Sequence, residues 1–353
     1  MKLNKMFMAA LLGSVLLVSC SDDDSDDATV NLPLGAYENG FFILNEGNAS
    51  AGSVSFVSDD YSIVKQDIFG AENDGEGLGG YLQSIFFNED RAYIISSASN
   101  KISVVNRYTF KLIDVIESEG DFVNPRYAAV YNGKAYVTNL NTFANLTDDF
   151  ITVVNLATNE VEDVIEVGAI AEKIFVENNK LYVLNGSYGD GNTITVINPA
   201  NGDIIDTIDL PQSPNSYEEE NGKLYVLTGS SFFDPAPSHL IRINLTTNAI
   251  ENDITFPADM IGAQNLNIEN NKVYFNIGGN IYDDALSSGS ISSTPLFAST
   301  ATNAYGLNVE DGKIFVTDSK DYVSDGQVFI YSLSGTQLQA PATGLIPNGV
   351  YFN

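Results

Sequence analysis

Asn132-Gly133-Lys134-Ala135-Tyr136 follows the apolar run Tyr127–Tyr131 and opens a second strand-like segment that ends at Thr138. An Asn-Gly pair between two such runs is a strong hairpin signal. The same pattern returns along the chain. It reads Glu89-Asp90-Arg91-Ala92-Tyr93, Asn178-Asn179-Lys180-Leu181-Tyr182, Asn221-Gly222-Lys223-Leu224-Tyr225, Asn270-Asn271-Lys272-Val273-Tyr274 and Asp311-Gly312-Lys313-Ile314-Phe315. A shortened copy, Asn39-Gly40-Phe41-Phe42, lies near the start. The anchor aromatics from Tyr93 to Phe315 are 43, 46, 43, 49 and 41 residues apart. A repeat of this size built of strand-like segments alone means a propeller or a solenoid.

One unit reads as four strands. After Tyr127–Tyr131 and Ala135–Thr138 come Ile151–Leu156 and then Val161–Val167, whose alternation of apolar and polar residues suits an outer strand with one wet face. Third strands are expected at Thr193–Ile197, Leu240–Ile243 and Gln327–Tyr331, and fourth strands at Ile204–Leu210, Ile250–Phe256 and Thr336–Ala340. The sixth unit, around 280–300, is the least regular, and no segment of the mature chain has helical periodicity. The sequence therefore predicts an all-β, seven-bladed β-propeller with four-stranded antiparallel blades. Its ring closes when Pro347–Phe352 joins, as a first strand, the blade that Phe41–Leu44 and Ser53–Val57 begin, which covers two strand edges.

The first twenty residues have a different character. Lys2 and Lys5 precede the apolar stretch Met6–Val18, which is too short for a permanent membrane span. Leu17-Val18-Ser19-Cys20 resembles a bacterial lipobox, which implies cleavage before Cys20 and lipid attachment to its sulfur; an ordinary secretory peptide is the alternative. Residues 1–20 are thus expected to be a lipoprotein signal peptide ending at Cys20, 21–35 an acidic flexible tether, and 36–353 a single propeller domain. Cys20 is the one cysteine, so no disulfide framework or internal thiol nucleophile exists. The run Ser21-Asp22-Asp23-Asp24-Ser25-Asp26-Asp27 has nothing to bury. The formal net charge is −30, and removal of residues 1–19 leaves 14 basic against 46 acidic residues, a net −32. That excludes general nucleic-acid binding, which needs basic patches.

Asn45-Glu46-Gly47, Leu78-Gly79-Gly80-Tyr81-Leu82-Gln83-Ser84, Asn124-Pro125-Arg126-Tyr127 and the repeated turns together resemble YncE-like β-propeller surface proteins of Bacteroidota, over nearly all of 36–353. The best-understood relatives in that group are of the BtuG type. The resemblance implies a cobalamin-binding surface lipoprotein seated on a TonB-dependent outer-membrane transporter. The acidic run also resembles the export signal that follows the lipidated cysteine in such proteins. Localisation is then the outer membrane, lipid-anchored through Cys20 and facing the cell exterior. A monomer in isolation is expected, with no membrane contact beyond the lipid.

In a blade, the second-to-third loop and the inter-blade connection share one face of the disc. Here those are the long segments: Gly47–Gly52, Asn139–Asp149, Asn185–Asn192, Gly229–Ser238, Ile277–Asn280 and Asp318–Gly326, with the connections Gly70–Gly80 and Ser118–Asn124. The opposite face has tight turns. Loops longer than a turn requires are where binding resides, so the site is expected on the long-loop face, near the axial mouth. Its candidate ligand-binding residues are Gln83, Arg126, Phe143, Asn145, Tyr188, Asp190, Phe232, Phe233, Asp234, Asp318, Asp321 and Tyr322. Aromatic faces with amide and carboxylate groups suit a large, flat, partly polar ligand; the same aromatics would also serve to pin their own loops. Arg126 either points into the mouth or makes an inter-blade ion pair. Gln83, Asn215, Asn265, Asn303 and Asn348 hold similar first-strand positions and suggest an amide rim.

Catalytic signals are weak. The lone His239 has no second histidine or cysteine for a metal site. No serine stands in a G-x-S-x-G setting, and Gly75–Gly80 lacks the helix and lysine of a phosphate loop. Asp318, Asp321 and Asp325 do not keep calcium-loop spacing. No catalytic residue, metal site or cofactor is assigned, with a single loop-held Ca²⁺ left open. The expected function is non-enzymatic capture of a ligand, such as a corrinoid or similar nutrient, for delivery to a transporter, although the absence of Trp removes one large stacking residue type. The alternatives are a protein- or glycan-interaction scaffold at the cell surface and a lactonase-type metal hydrolase.

Overall fold

The computed structural model describes residues 34–231 and 233–353. Cys20, the acidic run and Phe232 lie outside the described residues. Seven antiparallel sheets follow one another along the chain. The second blade is Leu82–Asn88, Arg91–Ser96, Lys101–Asn106 and Leu112–Glu117. The third is Pro125–Tyr131, Lys134–Asn139, Phe150–Asn155 and Glu160–Glu166. Blades four to seven begin with Ile174–Glu177, Ser213–Glu220, Gln264–Glu269 and Ala304–Glu310. The first blade is made from both ends: Pro347–Phe352 pairs with Gly40–Asn45, which pairs with Ser53–Ser58. The predicted closure is therefore present.

The hairpins form where the sequence demands positive φ. Asn132 and Gly133 stand at φ 48° and 73°, Asn221 and Gly222 at 54° and 71°, and Asp311 and Gly312 at 49° and 71°. Two left-handed central residues make the turn whose twist matches the flanking strands. Beyond each turn the second strand buries both faces. Phe41 and Ile43 pack toward the seventh blade, while Phe42 and Leu44 pack toward the second. The core is thus seven apolar clusters, one between each pair of neighbouring blades. The repeated aromatic always serves the next interface: Tyr93 against the third blade, Tyr136 against the fourth, Tyr182 against the fifth. The hydroxyl of Tyr136 donates to Pro199 O at 3.1 Å and that of Tyr182 to Leu245 O at 3.1 Å, so the buried rings also have their polar ends met in the neighbouring blade.

Near the axis, polar side chains join the blades. Asn348 donates to Gln83 O at 3.1 Å, Ser84 to Arg126 O at 2.7 Å and Thr138 to Glu172 O at 2.7 Å. Asn267 donates to Leu307 O at 3.1 Å, and Asn308 accepts from Val350 N at 3.0 Å. A buried backbone group at a sheet's inner rim has no further strand to bond, and these side chains supply the partner.

Three expectations change. A short helix, Ile68–Glu72, precedes the second blade; five residues are too few to show a period. Ile277–Asn280 is a tight hairpin turned by Gly278 and Gly279, not a long loop. Its blade instead has a long segment between Ala285 and Phe297, on the face expected to carry only short turns. The chain around 185–192 is an extended hairpin, Lys180–Ser187 and Asp190–Ile197, with Tyr188 and Gly189 at positive φ at its tip.

Candidate functional site: the axial cavity

In six blades the first strand begins with an irregularity; in the fourth, Ile174–Glu177 pairs without one. The register slips between Leu82 and Ser84, Pro125 and Ala128, Pro214 and Ser216, and Ala304 and Leu307. A bulge re-aims a side chain. One residue at or near the start of each first strand, Gln83, Arg126, Glu172, Asn215, Gln264, Tyr305 and Asn348, lines a cavity of about 870 Å³. Tyr127, Lys173, Tyr217, Glu218, Asn308 and Tyr351 line it as well. Glu46, Tyr81, Ser97, Asn124, Leu140, Phe143 and Tyr188 reach it from second-to-third loops and inter-blade connections. The cavity therefore opens through the long-loop face.

Its ionic groups differ in how well they are partnered. Arg126 donates Nε to Glu172 Oε2 at 3.0 Å and Nη2 to Glu172 Oε1 at 2.6 Å, a two-pronged pair between the third and fourth blades. Its Nη1 donates to Gln83 Oε1 at 2.5 Å, and Gln83 Nε2 donates to the Tyr127 hydroxyl at 2.9 Å. Burial works against the Arg126 charge, but Glu172 outweighs it and holds the guanidinium above its ordinary value. Arg126 thus faces the mouth and makes the inter-blade pair at once. Glu46 accepts from the Tyr305 hydroxyl at 3.1 Å and from Asn348 Nδ2 at 3.3 Å; burial raises its carboxyl, with those two bonds and Arg126 opposing.

Lys173 and Glu218 are different. Among the described residues, no hydrogen bond or ion pair engages either side-chain head. The Lys173 ammonium lies 5.7 Å from the centre of the Tyr127 ring. Burial lowers Lys173 against the pull of Glu172 and Glu218. Burial pushes Glu218 up to about 7, Lys173 opposing and Glu310 and Glu220 adding to it. The hydroxyls of Tyr127, Tyr217 and Tyr351 are raised by burial, so all three remain neutral donors.

Of the residues singled out from sequence, Gln83, Arg126, Phe143 and Tyr188 meet at this cavity. Phe143 and Tyr188 are 65 % and 69 % exposed, and their ring centres lie 5.2 Å apart across two blades. Tyr322 stands edge-on to Tyr305 at 6.1 Å. Asn145, Asp190, Phe233, Asp234 and Asp321 do not line the cavity. Asn145 caps Thr147 in its own loop, and Asp321 holds the backbone of Val323 and Ser324. Asp318 is buried and accepts from the backbone of Thr302, Asn303 and Lys320. The expected amide rim holds Gln83, Asn215, Asn265 and Asn348 but not Asn303, whose blade sends Tyr305 inward instead. His239 Nδ1 lies 2.7 Å from Asp253 Oδ1, away from the axis. Among the described residues, no group of three or more His, Cys, Asp or Glu side chains is placed to hold a metal ion. Sequence reading missed Glu46, Glu172, Lys173, Glu218 and the axial tyrosines. One signal was available: Gln83, Arg126, Glu172, Asn215, Gln264 and Tyr305 each stand eight residues before the basic residue of their turn, from Arg91 to Lys313.

No curated protein matches the chain. A quinonprotein alcohol dehydrogenase-like protein from Bacteroides thetaiotaomicron VPI-5482 is similar in structure, with a TM-score of 0.66 and 16 % identity over 90 % of this chain and 78 % of that one. Hydrazine synthase from Kuenenia stuttgartiensis has a TM-score of 0.60 at 14 % identity, over 77 % and 92 %. A functionally unknown protein from Desulfotomaculum acetoxidans DSM 771 has 0.58 at 11 %, over 88 % and 98 %. At such identities the likeness is one of fold alone. Residues 39–323 match the family described as "Domain of unknown function (DUF5074)", and the chain belongs to that family.

Proposed function

We propose that the protein is a non-enzymatic binder that captures a small polar ligand in its axial cavity through the long-loop face. One observation carries this reading: all seven blades turn a polar side chain into one cavity of about 870 Å³, of a size that suits small molecules. Exposed Phe143 and Tyr188 give its mouth an apolar face for a flat group. The proposal extends to place. Lipidation at Cys20 would tether the domain at the outer surface of the outer membrane, where it passes its ligand to a TonB-dependent transporter. The resemblance to YncE-like and BtuG-type proteins makes a corrinoid the first ligand to try. Co-elution of cobalamin with the purified domain on a sizing column tests that ligand. Titration with sugars and amino acids tests the capture reading more widely. Silence from all three classes at millimolar concentration refutes capture.

The exposed side chains of Tyr322 and Val323, 49 % and 81 %, beside the same mouth favour a second reading, a docking face for a protein partner. Recovery of a stable protein complex from the cell surface by a domain that binds no small molecule would select it.

A further inference from the structure

The two unengaged ionic heads stand in neighbouring blades of the cavity. Lys173 immediately precedes the first strand of the fourth blade, and Glu218 lies within that of the fifth. Every other ionic side chain that lines the cavity is held: Arg126 and Glu172 by each other, Glu46 by Tyr305 and Asn348. A half-buried charge without a partner is costly, and a ligand that supplies the partner is favoured. A simple anion would meet Glu46, Glu172 and Glu218 in the cavity of a chain with net charge −30. A simple cation would meet Arg126 and Lys173. A molecule carrying both charges close together satisfies both heads and adds no net charge.

We propose that the cavity takes a compact zwitterion of the α-amino acid class, its carboxylate bound by Lys173 and its ammonium by Glu218. Tyr127, whose ring lies 5.7 Å from the Lys173 ammonium, and Tyr217, next to Glu218 in the chain, also line the cavity and offer hydroxyls to the backbone of the ligand. Its side chain is directed toward the mouth, where Phe143 and Tyr188 stand.

This inference rests on the capture reading and narrows it. Calorimetric titration of the full domain with the twenty α-amino acids, and with the N-acetyl and amide derivatives of the tightest, tests it. At least one amino acid is expected to bind, and blocking either its amine or its carboxylate to weaken binding about tenfold or more. Lys173→Met and Glu218→Gln are expected to do the same, with Lys173→Arg retaining binding. If a variant fails to fold, the derivative series needs none. The proposal is overturned if no amino acid binds at millimolar concentration, if the blocked forms bind as well as the parent, or if both variants bind unchanged. Parallel titrations with cobalamin and glucose separate the two levels. Binding of either without any amino acid refutes the zwitterion and leaves capture standing, whereas silence from all refutes both.

Discussion

The Arg126–Glu172 pair gives the sharpest test of how the cavity wall is held. Both side chains are only 12 % exposed, and two short bonds join them between blades. Removing one partner leaves the other charge desolvated and alone, at a cost of about 3 kcal/mol. Arg126→Met strands Glu172 and releases Gln83 Oε1 as well; Glu172→Met strands Arg126, whose remaining bond to Gln83 carries no charge. Removing both is far milder, because an apolar pair of similar volume has no charge to solvate, and the double variant is expected within about 1 kcal/mol of the parent. The three variants and the parent form a cycle with a coupling of about 5 kcal/mol or more. In melting temperature, the unfolding entropy of the domain from Leu34 to Asn353 is about 0.7 kcal/mol/K, so each single change lowers the midpoint by about 4–5 °C. Urea midpoints with unchanged slopes measure the same quantity isothermally. Two single variants that each lose less than about 0.5 kcal/mol, or a double variant whose loss is their sum, would refute the reasoning. The pair would then be a solvated contact and the cavity wall wet throughout.

Other perturbations follow from the same structure. Deleting Ile346 to Asn353 removes the innermost strand of the first blade, including buried Val350, and is expected to cost several kcal/mol or abolish cooperative unfolding; an unchanged melting temperature contradicts closure. Gly47→Ala forces a side chain onto φ 73° and drives its Cβ into Ala51 O, so a loss of about 2 kcal/mol or more is expected in urea. Burial pushes Asp149 up to about 6 and Glu218 up to about 7. For an acid raised in the folded state, the folded form binds the proton more tightly. The stabilisation is complete below the ordinary value near 4 and disappears as pH rises through 6 and 7. The urea midpoint is therefore expected to fall between pH 5 and pH 8, by up to about 4 kcal/mol in stability, and Glu218→Gln to flatten the upper part of that slope. A midpoint that rises with pH rejects the assignment.

The fold was legible because two local constraints recur from blade to blade. A tight antiparallel hairpin needs positive φ at its central residues, and Asn-Gly, Asn-Asn and Asp-Gly announce it. A blade buried on both faces needs an apolar second strand, and Phe42, Tyr93, Tyr136 and Tyr182 mark it. The site was legible only where it projects on loops. Phe143 and Tyr188 could be named because aromatics in a long loop have few other reasons to be there. Their contact could not, since it depends on the hairpin of the fourth blade leaning on the loop of the third. Glu46 and Tyr305 lie 259 positions apart and meet only when the ring closes. Asn303 was mistaken for Tyr305 because the register slip that selects the inward residue is a property of strand pairing. Lys173 and Glu218 look, in sequence, like ordinary charges beside a polar turn.

The contrast between the two sets of repeated positions bears on what the cavity is for. At the packing position the copies agree, because each interface between blades asks for the same thing, a large buried ring. At the axial position the copies vary, running Gln83, Arg126, Glu172, Asn215, Gln264, Tyr305 and Asn348, five residue types in seven places. The blade does not require any one of these side chains to pack its core, since the apolar clusters lie between the sheets and not at the axis. What the topology fixes is only that the start of each first strand faces the cavity. The chemistry there is free to follow a ligand without cost to the ring. Of the cations remaining in this strongly acidic chain, Arg126 and Lys173 are the ones brought to the cavity wall. Arg126 is balanced within the wall itself; Lys173 is left for whatever enters. A scaffold indifferent to its axial residues, with one charge of each sign, Lys173 and Glu218, left without a hydrogen bond beside them among the described residues, has the construction that the capture proposal requires.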